Sequence, residues 1–245
     1  MTHSLAAAIF RVAGTENQSS SRNSTQRTRK MRKKPYQRLV AFIDWNSRLL
    51  VYKLNKDINI VDLSSHALKK TAKEISRMLN LKHPETKFLI DIRLYHGWHK
   101  GFEPTEHRRA AELAIQRTDF SALSSYQNVA YSGRIEYGDR LLVAQDSRLH
   151  HNLSIHLPNT VRSQDKRKPD VEKMVDTAMA TDLLTTSFQD PETWVLVVTE
   201  DDDLVPPLYA ADLVLSHSGS KALLIRTKTR NGPFFKLEGI ICEAT

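Results

Sequence analysis

The chain of 245 residues contains one cysteine, Cys242, so it cannot close an internal disulfide and lacks the Cys pairs of a structural zinc site. A lone thiol fits a reducing compartment, and the expectation is a cytoplasmic protein. No apolar run approaches the ~20 residues that span a bilayer, so no membrane partner is expected. Leu5–Phe10 is too short for a signal-peptide core before Arg11 interrupts it. No internal repeat is present. His96-x-x-His99 and His150-His151 have no partners at metal-ligand spacing and read as loop or surface histidines.

Acids are nearly missing from the start of the chain. Residues 1–37 hold eight of the 36 Lys and Arg but one of the 28 acids, Glu16, so the formal charge of +8 comes mostly from this segment. Rich in Ser, Thr, Asn and Arg with little to bury, it reads as a disordered basic tail. Two other uses of it stay open: an organelle transit peptide, and dispensable sequence upstream of an alternative start at Met31. The nearly neutral remainder, residues 38–245, is long enough for one sizeable core and is expected to be a single domain.

What is present in that domain is alternation. Arg38–Asp44, Lys87–Tyr95, Asn128–Tyr137, Trp194–Thr199 and Ala222–Arg226 read as strands. Helical spacing recurs over Ala67–Leu79 (capped by Ser64 or Ser65), Pro104–Arg117, Asp170–Ser187 and Val205–Ser216, with Gly219 as a stop. Arg140–Ala144 reads as a further strand, reached through a turn at Gly138-Asp139. Strands alternating with helices predict an α/β domain of three layers, a mostly parallel sheet between helices on both faces.

Three acidic segments punctuate this pattern. Trp194–Thr199 ends in Glu200, Asp201, Asp202 and Asp203; Arg38–Ile43 ends in Asp44; and Asp176 lies in the first turns of a helix. Acids at strand ends sit at the carboxyl edge of a parallel sheet, where open α/β folds place their chemistry. Packed carboxylates repel one another unless a cation relieves them, and oxygen-only ligands suit Mg²⁺ or Mn²⁺. A solvated acidic turn is the plain alternative.

These residues resemble the NYN branch of the PIN-like nucleases. "AFIDWNS" is similar to that family's first strand with its leading Asp, "KMVDTAMATDLL" to its Lys-x-Val-Asp helix, and "VVTEDDDLVPPL" to its acid-tipped strand followed by a Pro-containing helix start. "IDIRLYHG" fits its second strand. The resemblance covers roughly residues 38–230 and implies a PIN-like fold and metal-dependent endoribonuclease activity. It places metal-binding, catalytic acids at Asp44, Asp176, Asp201 and Asp203. This sequence departs from the family pattern in Trp45 after the first Asp, in Glu200 for Gly, and in Asp202 for Ser or Asn.

Around those acids, Asn46 and Ser47 are candidates to orient a phosphate or a water, with a helix or turn cap as the other role. Lys173, read as sharing a helix face with Asp176, is placed either on a scissile phosphate or on Asp176 itself. Arg167 and Lys168, with Arg162 and Lys166, offer positive charge before the Asp176 helix; Lys221, Arg226, Lys228 and Arg230 offer it near the end. Trp45 and Trp98 are candidates to stack unpaired bases, packing being the plainer role, and Tyr95, His96 and Trp98 to line a cleft wall. Asp182 reads as a structural hydrogen-bonding group. The partner expected is single-stranded or loop RNA, and a homo-oligomer is compatible with the sequence. A nuclease of DNA or flap structures, or a non-catalytic RNA-binding adaptor, are the rival readings.

Overall fold

The structure is a computed structural model, and it describes residues 36–53, 58–145, 157, 159–163, 170–227 and 241–243. The chain divides into two units at residue 33, and the description here is of the second. Residues 1–35 of the expected disordered tail, and Arg167, Lys168, Lys166, Lys228 and Arg230, lie outside the described residues, while Gln37, expected in the tail, is the first residue of the first strand.

The order of elements is β1 (Gln37–Asp44), α1 (Trp45–Val51), α2 (Ile60–Lys82), β2 (Phe88–Tyr95), β3 (His99–Lys100), β4 (Glu103–Pro104), α3 (Glu106–Gln116), β5 (Val129–Tyr137), α4 (Leu142–Gln145), β6 (Val161–Arg162), β7 (Val171–Glu172), α5 (Val175–Gln189), β8 (Trp194–Val198), α6 (Val205–Ser216), β9 (Ala222–Arg226) and β10 (Ile241–Glu243). Six strands form one sheet in the order β10-β9-β8-β1-β2-β5, and every neighbouring pair is parallel. The chain leaves β1 toward β2 and β5, then returns to the other side of β1 to lay down β8, β9 and β10. That reversal makes the gap between β1 and β8 the topological switch point, where the carboxyl ends of two adjacent strands open a crevice.

The central strands are buried on both faces, which is why they read as continuous apolar runs. Leu39, Ala41, Ile43, Leu196 and Val198 join one core with α1 and α2 residues such as Leu49, Leu68, Ala72 and Ile75. Phe42, Val195 and Val197 alternate to the opposite face and meet Met179, Leu183, Leu208 and Ala211 of α5 and α6. Trp45 and Trp98 are fully buried in the first core, so their place is packing and neither presents a ring to a ligand. No described helix is long and apolar enough to cross a membrane.

Several local expectations are corrected. Asn59, not Ser64 or Ser65, caps α2 by accepting from the N–H groups of Val61 and Asp62, and Ser64 lies buried inside the helix. Pro104 pairs with His99 in a two-strand turn, and Thr105 is the cap of α3. Leu142–Gln145 is a short helix rather than a strand, so Gly138-Asp139 turns the chain without making a hairpin. The Asp176 helix starts at Val175, not Asp170, because Val171–Glu172 first pairs antiparallel with Val161–Arg162. Gly219 does end α6, with a φ of 76°.

A buried charge network pins α5 to the sheet. Asp182, fully buried, accepts from Arg93 Nε at 3.0 Å, from the Tyr95 hydroxyl at 2.8 Å and from the Leu142 N–H at 2.7 Å. This is the structural role expected for Asp182, and it also takes Tyr95 away from any cleft wall. Removing one partner of a buried pair strands the other charge. Asp182→Ala is therefore expected to cost about 3 kcal/mol in denaturant unfolding, and Asp182→Asn, which keeps the shape and one acceptor, markedly less.

Candidate metal centre at the sheet switch point

The site is built first from strand register. Ile43 of β1 pairs with Val198 of β8, so Asp44 and Thr199 emerge side by side at the carboxyl edge. The buried Thr199 hydroxyl donates to Asp44 Oδ2 at 2.9 Å and accepts the Asp201 N–H at 3.0 Å. Asp44 Oδ1 accepts the Ser47 N–H at 3.1 Å, which makes Asp44 the cap of α1. Asp201 in turn accepts the Asp203 N–H at 2.9 Å and opens a single 3-10 turn, Asp202–Leu204, that leads into α6. Strand, acids and helix thus follow in the order the sequence indicates.

Two arginines hold the acidic loop from beneath. Arg48, fully buried, pairs with Glu200 and stands 3.6 Å from Glu74. Glu200 also accepts from the hydroxyl and the N–H of Thr227. Burial pushes the Glu200 carboxyl up, but Thr227 and Arg48 outweigh it and hold the group below its ordinary range. Glu200 is thereby a tether of the loop. Arg226 donates to the Asp201 carbonyl at 3.1 Å and pairs with Asp202 at 2.7 Å, so Asp202 faces that guanidinium. This corrects the expectation that Arg226 serves a polyanion. Lys221 is corrected likewise: it lies over Trp194 at the amino end of β8, away from the acidic edge.

Asp176 completes the constellation from a third segment. It lies in the first turn of α5, and Met174 before it adopts a left-handed backbone with φ 65°. Lys173, expected on the same helix face, instead precedes that bend; its N–H donates to the Thr160 carbonyl and the residue is exposed. The Asp176 carboxyl is pushed up to about 6, by loss of hydration and by repulsion from Asp201, Asp44, Glu172 and Asp203. Because the residue as a whole is exposed, the repulsion is the firmer of these causes. Asp44 is raised too, by burial and by the Glu172 charge, against the lowering effect of Ser47, Thr199 and Arg48.

All four expected acids are thus brought to one crevice, and sequence reading missed two members. Thr199 links the central pair. Glu172 accepts from Asn46 Nδ2 at 3.0 Å and contacts the Gly97 N–H and His96 Nδ1. Burial raises the Glu172 carboxyl, and His96 with the Gly97 N–H lowers it further than burial raises it. A short antiparallel bridge places Glu172, and two-residue strands leave no periodic trace. Asn46, a candidate to orient a phosphate or a water, spends its amide N–H on Glu172 here. Ser47 supplies the N–H to Asp44, while its hydroxyl is buried without a hydrogen-bond partner. Among the described residues, no group of three or more His, Cys, Asp or Glu side chains is placed closely enough to hold a metal ion.

Comparison with known proteins returned no match: no family model, no curated protein and no solved structure. The fold and geometry establish an α/β protein with a parallel sheet flanked by helices, in which Asp44 and Asp201 lie at the carboxyl ends of the two strands at the switch point.

The charge crowding has a measurable sign. Asp176 binds its proton more tightly in the folded chain than in the unfolded one, so it adds stability as pH falls from above 6 toward 4. Carboxyl NMR on the metal-free protein is expected to show Asp176 titrating near 6. Asp201→Asn should move that midpoint down by removing one of the repelling charges, and an unmoved midpoint would mean the two groups do not share a site.

Proposed function

We propose that this chain is a Mg²⁺- or Mn²⁺-dependent nuclease of the NYN branch of PIN-like proteins, hydrolysing phosphodiesters in single-stranded or loop RNA. The observation that carries the reading is that Asp44 and the Asp201 loop, tied together through Thr199 at the ends of β1 and β8, stand near enough to Asp176 for their charges to act on it. Like charges gathered at that cost are stabilised by a divalent cation. The same crevice lacks the glycine-rich turn of a dinucleotide site, since Trp45, Asn46, Ser47 and Arg48 follow β1 directly.

The donor set fits the ion. Asp44, Asp176, Asp201 and Asp203 offer oxygen only, and each Asp44 oxygen has one hydrogen bond, leaving lone pairs for a ligand. Carboxylate oxygens of this kind suit Mg²⁺ or Mn²⁺ rather than structural Zn²⁺. When bound, the cation supplies charge neutralisation at the phosphate and a lowered pKa for a bound water. The chain's own residues set the separation of the carboxylates: Asp44 and Asp201 through rigid strand ends and Thr199, Asp176 through α5. Preference for RNA over DNA rests on the resemblance, because the acids act on a backbone common to both.

The test is cleavage of pooled RNA and of matched DNA with Mg²⁺ or Mn²⁺, with product ends sequenced. Chelator is expected to abolish cutting. Asp44→Asn and Asp201→Asn should keep the fold and lose at least about a hundredfold in rate, the scale of removing one group from a preorganised site. Cutting at the parent rate by both variants would overturn the assignment, and faster cutting of DNA would overturn the substrate.

A further inference from the structure

A second concentration of charge, opposite in sign to the acids, stands on α2. Between Asp62 and Leu81 the exposed residues of this helix are Lys69, Lys70, Lys73 and Arg77, all of them cations. The apolar arc of the same helix faces inward, with Leu63, Leu68, Ala72, Ile75 and Leu79 buried in the first core. Lys69, Lys73 and Arg77 follow one another at four-residue intervals, with Lys70 beside them, and so share one stripe. Each step is about 6 Å along the axis, and the line runs about 12 Å.

This charge is uncompensated. The one acid between Asp62 and Leu81 is Glu74, four residues after Lys70 and at the spacing of a helical ion pair. Its carboxylate instead stands 3.6 Å from the buried Arg48 of α1. Among the described residues, none of the four cations has an acid within ion-pair distance. Like charges four residues apart destabilise a helix, and a face laid out for solubility intersperses both signs. Residues 38–245 are nearly neutral in sum, so the stripe is no sample of a general basic excess.

The form of the stripe decides what relieves it. Cations in line at a regular step match an anion whose charges repeat along a line, which is the form of a phosphodiester backbone. An anionic membrane takes a helix by its apolar face, and here that face is closed into the core. His66, one turn earlier on the stripe, meets Tyr52 edge to face, with ring centres 6.0 Å apart. The stripe therefore offers contacts to phosphates and none that distinguish bases.

We propose that α2 is a docking face for the sugar–phosphate backbone of a nucleic-acid strand, engaged through Lys69, Lys70, Lys73 and Arg77. That the docked strand is the one cut at the acids rests on the nuclease reading above; the docking itself does not. The stripe belongs to the helix layer on the first core, opposite α5 and α6, and acts on affinity rather than on the bond that breaks.

The test is binding of labelled polyuridylate to the whole 245-residue chain over a range of salt, in chelator so that nothing is cut. Each phosphate contact contributes about −0.7 to the slope of log K against log salt for a single strand. Lys69→Gln, Lys70→Gln, Lys73→Gln and Arg77→Gln together should flatten the slope by about 3 and weaken binding at least about tenfold at low salt. The basic residues 1–37 are present in both proteins and drop out of the difference. Because the four side chains are exposed, the variant should unfold at the parent temperature, and Lys69→Arg with Lys73→Arg, which keeps the charge, should bind as the parent does. Polydeoxythymidylate should show the same change, since phosphates do not report the 2′-OH. No binding by the parent, or equal slopes for parent and variant, would overturn the docking face. So would a variant that keeps its RNA binding but loses binding to vesicles of phosphatidylserine and phosphatidylcholine, which would make α2 a membrane contact. Failure of the parent to cut any RNA would strike the nuclease reading alone, because this binding is measured without cleavage.

Discussion

One hydroxyl joins the Asp44 carboxylate to the backbone of the acidic loop at Asp201. Thr199 donates to Asp44 on β1 and accepts from the Asp201 N–H beyond β8, so the relative position of the two acids is a property of a single side chain and of the pairing of two strands. Strand register is strongly determined here because β1 and β8 are buried on both faces. A slip of one residue would exchange every side chain between the two cores. The geometry of the acids is thus as firm as the packing of Leu39, Ile43, Val195 and Val197, all of which are buried in the two cores.

Holding like charges together needs compensation elsewhere, and the compensation lies under the acids rather than among them. Arg48 and Arg226 bind the loop through Glu200, the Asp201 carbonyl and Asp202. They neutralise the acids that do not face the crevice and leave Asp44, Asp176 and Asp201 to repel one another. The consequence is an electrostatic imbalance confined to one place. Charge that is crowded locally while the surrounding scaffold is neutralised is how perturbed carboxyls arise at functional sites.

The parts of this arrangement that were legible in the sequence are those that repeat or end abruptly. Apolar runs of strand length, helical spacing over α6 and acids at the ends of β1 and β8 located the sheet edge with Asp44, Asp201 and Asp203, and the family resemblance added Asp176 from α5. The parts that were not legible are made by tertiary contact. Arg48 and Arg226 look like any surface cation in sequence, yet both are buried under the acidic loop. Lys173 looked like a helical neighbour of Asp176 because Val171–Glu172 was read as helix; its pairing with Val161–Arg162 ends that expectation. Trp98 followed a strand and looked available, but its ring is closed in by Tyr137 and Arg108.

The late start of α5 has a cause and an effect. Met174 takes a left-handed conformation that a residue with a Cβ adopts at a cost of about 1 kcal/mol or more. The helix it opens has no side-chain cap. Both features oppose an efficient helix start, and a sequence free of other demands would continue the helix back through Asp170. What the bend achieves is to free Glu172 from the helix and turn it toward Asn46, Gly97 and His96, which receive it. Strained backbone persists where the surroundings over-determine it, and here the surroundings are the contacts that Asn46, Gly97 and His96 make with Glu172.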